Sequence, residues 1–161
     1  MSYLLEFNIV MQTWDARPLF EADINDKYDI FCMYDSGANL PIVCCNKVMF
    51  NSLFQYKNFL CSLSIDGIGG SRRYPLYQLP IFNIRSNVSK NSIDFLNLVI
   101  AYQESSVKSS AFVLLPSSMF GLMDVYIGLY RDLLSLRCDS NKINMRYSPE
   151  LGTVYPVGLF I

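Results

Sequence analysis

Hydrophobic and polar positions along the chain alternate in short blocks instead of running in helical stripes. Blocks rich in aromatic and β-branched residues cover 3–11, 19–24, 28–34, 59–65, 74–84, 93–102 and 111–115, each closed by Gly, Pro, Asn, Asp or Ser. Short apolar runs of this kind, bounded by turn formers, predict strands. Asn25-Asp26-Lys27, between two of the blocks, predicts a hairpin turn. Helical signal is thin. Leu129, Leu133 and Leu136 fall on one face and predict a short helix over 129–137, and a second short helix is expected over 46–54. The polar stretches 86–92 and 104–110 read as hairpin loops or an insertion, and 143–147 with 152–156 as a final strand pair. The pattern predicts one mostly β domain over 1–161, a barrel or sandwich of many short strands.

Composition narrows the chemistry. The 161 residues are 52% hydrophobic and 17% charged, enough apolar material for a core and against intrinsic disorder. The net charge is −1, which disfavours nucleic acid or an anionic membrane as a partner. Histidine is absent, so a Ser-His-Asp triad, a Cys-His dyad and His-ligated zinc are all excluded. Any catalysis falls to carboxylates, hydroxyls, thiols or amines. The five cysteines, Cys32, Cys44, Cys45, Cys61 and Cys138, show no C-x-x-C spacing, and most read as small buried hydrophobes. The first residues lack a basic segment and carry Glu6 within their apolar stretch, unlike a signal peptide, and no aliphatic run is long enough to span a bilayer. The expectation is an intracellular, cytoplasmic protein with reduced thiols.

Asp35-Ser36-Gly37-Ala38 is the outstanding tetrapeptide. It follows the apolar strand 28–34 and precedes a second apolar stretch at 40–44, so a carboxylate stands at a turn with hydrophobic flanks. Poor solvation there makes its proton affinity adjustable. Ser36 can bond within the turn, and Gly37 permits a positive φ or a close backbone approach. Asp66-Gly67-Ile68-Gly69-Gly70-Ser71 follows between two strand-like segments. A phosphate-binding loop would require a helix next, whereas the following Arg72-Arg73-Tyr74-Pro75 stretch is extended. The glycines therefore read as a hairpin tip. A third element, 124–134, is an apolar strand ending at Gly128 that opens into the short helix.

In this order the motifs resemble those of the retropepsin-like aspartic proteases, the family of retroviral proteases and their single-domain relatives. Arg17-Pro18-Leu19-Phe20 begins a strand, a hairpin follows, and Asp35-Ser36-Gly37-Ala38 matches the catalytic turn. Gly67-Ile68-Gly69-Gly70 resembles the flap tip, and Val125-Tyr126-Ile127-Gly128 the apolar segment beside the catalytic turn, ahead of the family's helix. The likeness covers about residues 17–137. Met1 reads as an ordinary start, which favours a bacterial or mobile-element member over a fragment of a viral polyprotein. Two departures stand out: no acidic residue follows the turn, which continues Asn39-Leu40-Pro41, and Leu129 instead of an arginine follows Gly128.

The resemblance implies a retropepsin-like closed β-barrel with one short C-terminal helix and an aspartic endopeptidase activity. Two carboxylates a few ångströms apart would hold one proton between them, one activating water while the other polarises the scissile carbonyl. With a single D-S-G-A, the second Asp35 would come from another protomer, making the enzyme a homodimer. Asp35 is then catalytic, with Ser36, Gly37 and Ala38 supporting its turn. Asn39, Gly67, Ile68, Gly69, Gly70 and Ile127 would hold an extended polypeptide substrate or form the flap over it. No metal or cofactor is expected. The alternative on the same scaffold is a non-catalytic dimerisation or peptide-binding module.

Overall fold

The computed structural model describes residues 2–13, 17–67, 70–105 and 111–160. Their backbone forms β1 (Tyr3–Gln12), β2 (Pro18–Ile24), β3 (Tyr28–Asp35), β4 (Ile42–Cys45), α1 (Lys47–Leu53), β5 (Asn58–Gly67), β6 (Gly70–Arg85) and β7 (Ser92–Glu104). Then come β8 (Phe112–Pro116), a 3-10 turn (Ser117–Phe120), β9 (Asp124–Gly128), β10 (Leu133–Cys138), β11 (Lys142–Ser148) and β12 (Thr153–Leu159). The protein is mostly β, as the alternation of apolar and polar positions predicts.

Local chemistry explains the first hairpin. Asn25 and Asp26 both take φ of 54°, the left-handed conformation that these two side chains tolerate better than other non-glycine residues. The Asn25 side chain then ties the turn to its surroundings. It accepts the Asn83 N–H at 2.7 Å and donates to the Leu53 carbonyl at 2.9 Å. The helix α1 starts where expected, because Asn46 accepts the Met49 N–H at 2.8 Å and so satisfies an otherwise orphaned donor.

The pairings β7–β4–β8–β3–β2–β6–β7 return to their start. Only two residue pairs, Asp23↔Arg85 and Ile24↔Ile84, join β2 to β6 and complete that circuit. From β2 the sheet continues through β1 and β10 to β9, and from β7 through β11 to β12. Ile30, Cys32, Val43, Leu76, Leu79, Phe82 and Leu98 are among the core residues contributed by the circuit. Strand β7 is buried continuously from Leu98 to Tyr102 instead of alternately. Helix α1 explains part of this run, since Phe50 stacks on Tyr102 with ring centres 3.8 Å apart.

One expected element is corrected. No helix covers 129–137: residues 129–132 form a turn, with Asp132 at φ 51°, and β10 follows. Along β10 the buried residues are Leu134, Leu136 and Cys138, a period of two that fits pairing with β1 on one side and β9 on the other. The C-terminal helix of the expected fold is therefore a strand, and α1 lies in the first third of the chain. Among the described residues, no helix is long and apolar enough to cross a membrane, and no group of three or more potential ligand side chains could hold a metal ion.

Candidate active site

Asp35 is the last residue of β3 and is only 5% exposed. Its position follows from an unusual strand order. β8 runs parallel to β3, with Asp35 opposite Pro116, and antiparallel to β4, with Ile42 opposite Leu114. Two strands consecutive in the chain thus flank a third, and residues 36–41 must cross the C-terminal end of β8. The 3-10 turn that follows β8 supports this end through Phe120, whose ring lies 5.6 Å from that of Tyr34. Burial pushes the Tyr34 hydroxyl pKa above its ordinary value.

Both oxygens of Asp35 receive donors. The Gly37 N–H donates to Oδ1 at 2.9 Å, closing the turn, and the Ala38 N–H approaches the Asp35 carbonyl at 3.4 Å. Oδ2 is held by the Arg17 guanidinium, whose Nη1 lies 3.0 Å away. Gly37 is not among the residues of positive φ, so its role is the close approach of its amide; a Cβ there would stand 3.4 Å from Oδ1. Ser36, Gly37 and Asn39 are exposed and Ala38 is half-buried, so the turn presents its surface to solvent while its carboxylate does not.

Asn39 is anchored from a distant segment. Its carbonyl accepts the Val154 N–H at 3.2 Å and the Thr153 hydroxyl at 3.1 Å, so β12 tethers the end of the turn. No sequence signal pointed to Thr153. Arg17 directly precedes β2, where the sequence pattern marks only the start of a strand.

The glycine-rich segment lies at the end of the β5–β6 hairpin, where Gly67 pairs with Gly70 and Asp66 with Ser71. Gly70 takes φ of 100°, a conformation open chiefly to glycine. Ile68 and Gly69, the expected tip, lie outside the described residues.

Ile127 is placed differently from expectation. The strand beside the Asp35 turn is β8, whereas β9, which carries Ile127, pairs with β10 at the outer end of the sheet. β10, β1 and β2 separate β9 from β3. Ile127 packs half-buried against the core there and is not brought to Asp35. The apolar stretch at 111–115 was legible as a strand; its parallel partnership with β3 was not.

Cys32, Cys45 and Cys138 are buried, Cys44 is half-buried and Cys61 is exposed. Burial, reinforced by neighbouring Cys44, pushes the Cys45 pKa up to about 12, and burial raises those of Cys32 and Cys44 as well.

No protein-family model matches the chain, and no curated protein matches it. Among solved structures the chain is similar to a retroviral protease, the EIAV protease complexed with the inhibitor HBY-793. The match has 18% sequence identity, covers 65% of this chain and 88% of that chain, and has a TM-score of 0.41.

Proposed function

We propose that the chain is a homodimeric aspartic endopeptidase of retropepsin type, hydrolysing peptide bonds by activating water between two Asp35 carboxylates. The observation that carries this reading is the setting of Asp35, a carboxylate with little exposure at the end of a strand, inside a turn of exposed small and polar residues. Low solvation and a directed donor within the turn, the Gly37 N–H on Oδ1, are what a carboxylate needs to hold a fixed orientation toward a reacting carbonyl and water. The circuit of strand pairings supports a closed barrel as the scaffold. The β5–β6 hairpin, ending in Gly67 and Gly70, supports a flap that closes over an extended polypeptide paired like an added strand.

One carboxylate per protomer makes the protomer incomplete, which is the argument for the homodimer. In the assembled site the two Asp35 groups would share a proton, because two like charges in contact cannot both persist. The ionised member would take a proton from water as it attacks the scissile carbon, and the protonated member would donate to the carbonyl oxygen.

A second reading, a non-catalytic dimerisation or peptide-binding module, is favoured by the Arg17–Asp35 ion pair, which satisfies the carboxylate within one protomer. Cleavage of a denatured protein between pH 3 and 7, with and without pepstatin, separates the two. Pepstatin-sensitive cleavage supports the enzyme. Its absence throughout that range from a sample shown to be dimeric supports the module.

A further inference from the structure

We propose that Arg17 is the internal counter-ion of Asp35 in the lone protomer, and that this ion pair must open before two Asp35 carboxylates can meet. The inference rests on the dimeric reading above and adds a control to it.

The argument starts from the two oxygens. Oδ1 belongs to the turn, since the Gly37 amide that binds it is only two residues away in the chain. Oδ2 is held by a side chain, Arg17, from outside the turn. A proton shared between two carboxylates needs one oxygen of each facing the other. Oδ2 is the oxygen whose present partner can leave without unmaking the turn. The guanidinium offers only donors, so Arg17 and a second carboxylate compete for the same oxygen, Oδ2.

The two partners differ in their access to water. The Asp35 side chain is 7% exposed and that of Arg17 is 42% exposed. A carboxylate this buried needs a compensating charge or a proton, whereas a half-exposed guanidinium can exchange its partner for water. Arg17 therefore shelters the charge of Asp35 while no second protomer is present. Opening need not move β2, because the Arg17 backbone is clasped to Thr13 by two bonds: the Arg17 N–H donates to Thr13 Oγ1 at 3.0 Å, and the Thr13 N–H donates to the Arg17 carbonyl at 3.1 Å. Assembly then breaks two Arg17–Asp35 pairs, takes up one proton from solvent and makes one hydrogen bond between the Asp35 of one protomer and that of the other.

The test is a double-mutant cycle on the dimer dissociation constant, measured by sedimentation equilibrium at one pH for wild type, Arg17→Gln, Asp35→Asn and the double variant. Arg17→Gln is expected to tighten the dimer by about tenfold, because the unpaired carboxylate raises the free energy of the monomer. In the Asp35→Asn background the same substitution should change nothing. Arg17→Lys, a cation without the planar fork, should shift the constant in the same direction by a smaller factor and serves if the glutamine variant does not fold. A looser or unchanged dimer in Arg17→Gln overturns the inference, as does an equal shift in both backgrounds, which would mean that Arg17 acts without Asp35. If none of the chains associates at any concentration, the dimeric reading itself fails.

Discussion

Replacing Asp35 with Asn removes the only ionisable group at the turn and does so in both protomers. Under the proposed mechanism neither a base for water nor an acid for the carbonyl remains, and turnover should fall by about 10⁴-fold or more. In the lone protomer, where Arg17 holds Asp35, the effect on stability follows from the donor count. The carboxylate accepts from the Gly37 N–H on Oδ1 and from Arg17 Nη1 on Oδ2. An amide has one oxygen, so one of those donors must face its NH2 group. Keeping the turn intact leaves Arg17 as the displaced donor, and its 42% exposure lets water replace the lost contact. The expected loss is therefore about 1–2 kcal/mol, below the penalty for an unsatisfied donor with no access to water. For a chain of this size that lowers the melting temperature by about 2–8 °C. Cleavage of a denatured substrate should be measured where the chain is dimeric, and the melting temperature of the same preparation after dilution to the protomer. Retained turnover would end the aspartic-protease reading. An unchanged melting temperature with lost turnover would leave the chemistry standing and refute the two-donor account of Asp35.

Gly70→Val should lower turnover sharply, because φ of 100° is strained for a β-branched residue, while an exposed hairpin end changes the melting temperature little; a large stability loss with normal turnover per folded chain would contradict a flap role. Phe50→Ala should destabilise the fold by about 3–5 kcal/mol in chemical denaturation, since the ring is 1% exposed and stacked on Tyr102; a loss below about 1 kcal/mol would show that the helix does not cover β7 as described. At pH 8, exposed Cys61 should react first with a thiol reagent. Cys45, with its pKa near 12, and Cys32, also raised, hold almost no thiolate at that pH and should react only on unfolding; fast modification of either in folded protein would refute their burial.

Local pattern carried most of the strands, the turn at Asn25–Lys27, the capped helix after Asn46 and the placement of Asp35 at the end of an apolar strand, because each depends on neighbours in the chain. One further feature of the site is legible in the hairpin. A hairpin that pairs Ile24 with Tyr28 is centred on Asp26, and Arg17 and Asp35 lie nine residues to either side. That register brings the arginine opposite the aspartate before any tertiary structure is known.

Residues 129–138 were ambiguous in kind. Leu129, Leu133 and Leu136 satisfy a helical period, while Leu134, Leu136 and Cys138 satisfy a period of two, and neither pattern excludes the other. Partners decided it: β1 and β9 lie on either side of β10 and use its backbone donors and acceptors, which a helix would have used internally. The same holds beside Asp35. Apolar strands at 112–116 and 124–128 both suited the position next to β3, and only the assembled sheet assigned it to the first. The tether from Thr153 and Val154 to Asn39 spans more than a hundred residues and uses a backbone carbonyl, so no side-chain pattern could announce it. Side-chain periodicity reports which face of a segment is buried; which segment buries it is settled by non-local pairing, and that belongs to the tertiary structure.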